Sequence, residues 1–189
     1  MGKDIEYIKS ALQEAIDTLQ RLEDHADLIA AGGRLMVESL KSGGKIMFCG
    51  NGGSAADAQH LAAELMGRFL KERKPLAAIA LTVDTSALTA IGNDYGYEYV
   101  FERQLRGVGR KGDVLVGIST SGNSKNVVLA LQEARKLGIG TIGLTGSKGG
   151  AMEEFCDVLI KAPGHRTDFI QQLHIVVGHT LCGLVEESL

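Results

Sequence analysis

Prolines number only two, cysteines three, and no apolar run approaches the length of a membrane-spanning helix. Each shortage excludes something. So few prolines, with no low-complexity stretch, leave no linker, and one domain over residues 1–189 is expected. Within it, residues 1–42 read as N-terminal helices and 43–189 as an α/β core with a C-terminal helix. Three cysteines (Cys49, Cys156 and Cys182), widely spaced among apolar neighbours, argue against a disulfide framework or a zinc ribbon. They read as buried thiols of a reducing compartment. The net charge is −3 and the basic residues cluster only at Lys71-Glu72-Arg73-Lys74, so neither nucleic acid nor an anionic membrane is an expected partner. That cluster precedes Pro75 and reads as a solvated loop. Residues 1–6 hold no apolar leader segment, so a cytoplasmic protein is expected.

What is present is ordered by period. Ile5, Ile8, Leu12, Ala15, Leu19, Leu22 and Ala26 recur in steps of three and four. Such a seam of about three heptads suits helices packed side by side in a bundle. The helix either lies on its own domain or meets another protomer. A second helix runs to about Leu40 and stops at Ser42-Gly43-Gly44.

Short, nearly continuous apolar runs follow at residues 45–49, 77–81, 113–118, 140–145 and 158–161. Helices are predicted at 55–66, 85–91, 97–106, 124–137 and 167–187. Runs of this kind suit parallel strands covered on both faces, and the alternation predicts a doubly wound five-stranded parallel sheet flanked by helices. Ligands of such sheets bind at the carboxyl ends of the strands.

Two of the loops at those ends are rich in glycine and hydroxyls. Gly50-Asn51-Gly52-Gly53-Ser54 links the first strand to a helix, and a glycine turn there exposes N–H groups at the positive end of the helix dipole. Ser119-Thr120-Ser121-Gly122-Asn123-Ser124 follows the third strand and leads into another helix. One hydroxyl would serve as a helix cap; four exceed that need and point to a phosphate. The first loop also fits G-x-G-x-x-A, but no acid ends the next strand at the spacing a dinucleotide requires, and no Walker A motif occurs. Asn93-Asp94, taken alone, reads as a polar turn.

His60 and Glu64 share one helical face at a spacing of four. The final helix adds Gln171, His174 and His179 to an otherwise apolar run. Polar groups in a buried helix need partners, because an unpaired one costs about 1–3 kcal/mol. Two imidazoles, a carboxylate and an amide oxygen would satisfy a zinc-like ion. Gln171 and His179 are eight residues apart, a rise of about 12 Å. Both reach one ion only if side chains lean together, the helix is distorted, or different protomers contribute.

Taken with Gly92-Asn93-Asp94, Gly117-Ile118 before the serine loop, Leu144-Thr145-Gly146 and Gly149-Gly150, these residues resemble the phosphoheptose isomerases of the sugar-isomerase (SIS) class. The resemblance covers nearly the whole chain. It implies conversion of sedoheptulose 7-phosphate to D-glycero-D-manno-heptose 7-phosphate through an enediol, the first step toward activated heptose for surface polysaccharide. It also implies a homotetramer with active sites between subunits and one zinc ion per subunit. Carried over motif by motif, Ser119, Thr120, Ser121 and Ser124 would hold the phosphate, and Asn51, Gly52, Gly53, Asn93 and Asp94 would line the sugar. His60, Glu64, Gln171 and His179 would bind the metal, with Glu64 and Gln171 also at the substrate. Glu64 and His179 would be the acid–base pair, and Asp168 a helper behind them. The alternative is a non-catalytic SIS protein that binds the replication initiator; such proteins lack the acid and the final histidine, and this chain has both. Hexulose- or arabinose-phosphate isomerases would share the serine loop but not the combined His60–Glu64 and Gln171–His179 pattern.

Overall fold

The computed structural model describes residues 2–189. Helix α1 spans Gly2–Gln20, and a 3₁₀ turn at Arg21–His25 leads into α2, Ala26–Lys41. The core then runs β1 (Ile46–Gly50), α3 (Gly53–Met66), β2 (Ala78–Ala80), α4 (Thr85–Tyr95), α5 (Val100–Val108) and β3 (Val114–Ser119). It closes with α6 (Lys125–Lys136), β4 (Gly140–Gly146), β5 (Val158–Ala162) and α7 (Thr167–Ser188).

All strands pair in parallel, in the order β2-β1-β3-β4-β5. The three central strands β1, β3 and β4 are buried almost end to end, which is why they read as nearly continuous apolar runs. Alternate residues supply two cores. Ile46, Phe48, Val116, Ile118 and Leu144 face α2, α3 and α7, while Met47, Cys49 and Leu115 face α5 and α6. Cys49 and Cys182 are buried, and burial pushes each thiol up to about 12, so both stay protonated. At the N-terminal edge of the sheet, buried Asp113 accepts from Lys45 N–H and Arg110 N–H and pairs with Lys45 Nζ.

Three expectations need correction. The seam from Ile5 to Ala26 is not one helix, because the 3₁₀ turn breaks it; Leu22 is buried, but Ile5, Ile8, Leu12 and Leu19 stand exposed. Asn93 and Asp94 do not sit in a turn: α4 continues through them and ends at Tyr95, where Gly96 takes a φ of 103° that L side chains avoid. The segment predicted at 97–106 starts with a 3₁₀ turn, and its α-helix begins only at Val100.

His174, on α7, is 1% exposed, and burial pulls its pKa down to about 4, the main chain of Thr145 only partly opposing this. Neither ring nitrogen makes a well-formed hydrogen bond. The ring is therefore neutral in the fold, while an unfolded chain takes up a proton near pH 6.5. Its contribution is full above pH 6.5 and is lost as pH falls toward 4, on the order of 3 kcal/mol in all. His174→Leu should flatten that part of the stability–pH curve, as read by urea unfolding between pH 4 and 7. An unchanged slope would mean the ring is solvated.

Candidate active site

The chain moves outward from β1 to β2 on one side and from β3 to β5 on the other. The crevice between β1 and β3 is thus the topological switch point, where open α/β sheets bind ligands. Both loops singled out in the sequence meet there. Asn51 and Asn126 exchange amide hydrogen bonds of 2.8 Å in each direction, spanning the crevice. Tyr97 donates its hydroxyl to Asn51 Oδ1 at 3.2 Å, tying in the segment beyond α4. Asn93 and Asp94 are exposed and bond to each other.

The serine loop is not a helix cap. Ser124 stands at the N-cap of α6 and makes no capping bond with its side chain. Its Oγ instead meets Ser119 Oγ at 2.8 Å, and Ser121 Oγ accepts from Asn123 N–H. Gly122 has a φ of 67° and abuts Gly149, leaving no room for a Cβ. Thr120, Ser121, Lys148, His165 and Thr167 border a cavity of about 380 Å³ beside this loop. Lys148 and His165 were missed in the sequence, since each stands alone in its loop. Neutral hydroxyl bonds contribute roughly 0.5–1.5 kcal/mol each, so replacing Ser119 and Ser121 together with alanine should raise KM for a sugar phosphate by about tenfold. Unchanged KM would show that the loop only packs.

The second cluster lies on α3 and α7, which run alongside each other. A Cβ on Gly178 would come within 2.5 Å of Leu61, so glycine there permits close approach of the two helices. That approach brings His60 Nε2 to 2.8 Å from His179 Nε2 and leaves Glu64 Oε1 3.2 Å from His60 Nε2. His60, Glu64 and His179 each offer one donor atom, all within 4.8 Å of one another. Two imidazole nitrogens and a carboxylate oxygen form a set suited to a divalent ion of borderline softness. Phe69 stacks on the His179 ring at 5.5 Å.

Asp57, one turn before His60, has a buried and unpaired Oδ2. Burial raises its pKa, and the nearby His60 and His179 pull it back. Its i, i+3 spacing to His60 is the one signal of it in the sequence. Gln171 stays apart from the three: its amide packs on Gly53, at the other end of α3. Eight residues of α-helix, a rise of about 12 Å, separate it from His179, so with its amide on Gly53 it does not join that cluster within one chain. Asp168 lies on the first turn of α7 and pairs with Arg166 at 2.6 Å.

Comparison with known proteins agrees with this architecture. The SIS domain model matches residues 10–146. A phosphoheptose isomerase of Rhodospirillum rubrum is 58% identical over 96% of this chain and 97% of its own. The chain belongs to the phosphoheptose isomerases. Among solved members of the family, that of Neisseria gonorrhoeae is 47% identical and superposes with a TM-score of 0.91, covering 96% of this chain and 98% of its own. The Francisella tularensis phosphoheptose isomerase is 36% identical, with a TM-score of 0.94 over 97% and 98% of the two chains. The protein is an isomerase of this family, and sugar phosphates are the substrate class.

Proposed function

We propose that the protein interconverts sedoheptulose 7-phosphate and D-glycero-D-manno-heptose 7-phosphate, supplying the first intermediate of activated heptose. The convergence of His60, Glu64 and His179 carries this reading. Ketose and aldose differ by a proton moved between C1 and C2 and another between their oxygens. Glu64, 21% exposed and beside His60, accepts the carbon-bound proton and returns it to the neighbouring carbon of the enediol. His179 serves the oxygens as acid and base, its ring orientation held by Phe69. Ser119, Thr120, Ser121 and Ser124 hold the phosphate through neutral hydrogen bonds and helix α6's N-terminus. Asn51, Gly52, Gly53, Asn93 and Asp94 line the sugar.

His60, Glu64 and His179 would hold one zinc ion per subunit, and the donor set fits. Such an ion would polarise the ketose carbonyl. Gln171, remote from that cluster within one chain, would complete the ligand set and the substrate contacts from a neighbouring subunit. Asp168 assists from the same neighbour. The site is therefore built between subunits of a cytoplasmic homotetramer, each chain acting as one domain. The exposed apolar row Ile5, Ile8, Leu12, Ile16 and Leu19 on α1 supports this assembly, because a stripe of that length on a lone chain would be left in water. Light scattering should return four times the chain mass, and a monomer would remove the shared site.

The deciding assay is incubation of the pure protein with sedoheptulose 7-phosphate, followed by NMR. Appearance of the aldose 7-phosphate is expected; a ketose that stays unchanged with zinc present rules the reading out.

A further inference from the structure

Residues 67–77 join α3 to β2, and the run 71–74 within them was expected to be solvated, yet two attachments of this segment are buried. Glu186, in the last turn of α7, has a side chain only 3% exposed. Its Oε1 accepts from Phe69 N–H at 3.1 Å, and its Oε2 accepts from Leu70 N–H at 2.7 Å and Lys71 N–H at 2.8 Å. One carboxylate thus pins three successive residues of the loop. Arg73 Nε lies 3.0 Å from Glu186 Oε1, a charge contact not aligned as a hydrogen bond. The rest of that guanidinium, 12% exposed as a side chain, turns toward α3. Nη2 donates to Glu64 O at 2.8 Å, and Nη1 donates to Leu65 O at 2.9 Å and to Gly67 O at 3.3 Å. These carbonyls lie at the helix's C-terminal end, where they lack partners within the helix and favour a cation.

We propose that the Arg73–Glu186 pair is a clamp that positions the proton-transfer and metal cluster, and that both residues are positioning residues for the isomerisation. The inference rests on the active-site reading given above. Two groups of the cluster, His60 and Glu64, ride on α3, and the third, His179, rides on α7. Any sliding of one helix along the other separates the facing Nε2 atoms, and catalytic groups tolerate misplacement of only about 0.5 Å. Arg73 holds the main chain of Glu64 itself. Glu186 sits seven residues beyond His179 on the same helix. By fixing Phe69 N–H it also holds the ring that stacks on His179. Such a buried pair adds little net stability over apolar residues of equal volume, but its directed bonds specify geometry.

The test uses the full-length protein, first stripped of metal and titrated with zinc, then assayed when loaded. Glu186→Gln keeps the volume but turns an amide N–H toward main-chain donors. It should weaken zinc binding and lower kcat, each by about 10–100-fold, with KM within about threefold because the phosphate loop lies on β3. Asp113→Asn removes an equally buried carboxylate, one that anchors the turn before β3 to Lys45 and makes none of the clamp's bonds. It should lower the Tm while leaving zinc affinity and kcat as in the parent. Zinc affinity and kcat of Glu186→Gln matching the parent, once scaled to the folded fraction, would overturn the clamp. Should that variant not fold, Arg73→Lys decides by the same readouts, since it keeps the charge and loses the fork onto Glu64 and Leu65. A parent protein inactive on the heptose phosphate would fail the proposed function, and the zinc titration would still decide the clamp.

Discussion

Glu64→Gln is expected to lower kcat by about 10²–10⁴ while KM changes little. The amide keeps the shape of the carboxylate and an oxygen toward His60, but it cannot take a proton from carbon. Glu64 is partly shielded, its Oε1 3.2 Å from His60 Nε2, so its second oxygen can face a substrate. The competing account is an ordinary i, i+4 ion pair on a helix surface. That pair would contribute at most about 1 kcal/mol to stability and nothing to turnover. Steady-state kinetics and a thermal melt on the same preparation therefore separate the two. Turnover near that of the parent would refute the mechanism, whatever the family membership implies.

The second large expected effect concerns the proposed zinc. Dialysis against a chelator should reduce turnover by at least about 100-fold, since polarising the carbonyl supplies several kcal/mol at about 1.4 kcal/mol per tenfold. One equivalent of zinc per chain should restore it. The restoring ion should fail in His179→Ala, which leaves only His60 and Glu64 of the convergent set. Full turnover in metal-free protein would instead leave His60, Glu64 and His179 as a purely acid–base cluster. The two predictions are independent, because Glu64→Gln retains a donor for the ion and metal removal retains the base.

Much of the fold was legible from local pattern. Parallel strands buried on both faces carry few polar and no charged residues here, so β1, β3 and β4 stand out as mostly apolar runs, within a residue or so of their observed ends. Boundaries were less legible where a short 3₁₀ turn borders a helix, as at Tyr97–Tyr99, because both carry similar spacing. The break in the N-terminal seam at Arg21–His25 was hidden for the same reason: its apolar residues keep the heptad step while the hydrogen bonding changes. Arg73 was misread because a charge run looks solvated unless its partner, 113 residues away, is known.

The sequence by itself determined the doubly wound sheet, the hydroxyl loop at the end of β3 and the pairing of His60 with Glu64. Each depends on residues close in the chain, where strand and helix periods dictate which side chains share a face. Tertiary structure alone decided that His179 meets His60, since the register of α7 against α3 is set by Gly178 beneath Leu61. It also decided that Gln171 stands apart from them and that Asp57, Phe69, Arg73 and Glu186 surround or brace the cluster. These are contacts across more than 100 residues, apart from those within α3 and its following loop. They follow from how two helices pack against one sheet, which no local spacing encodes.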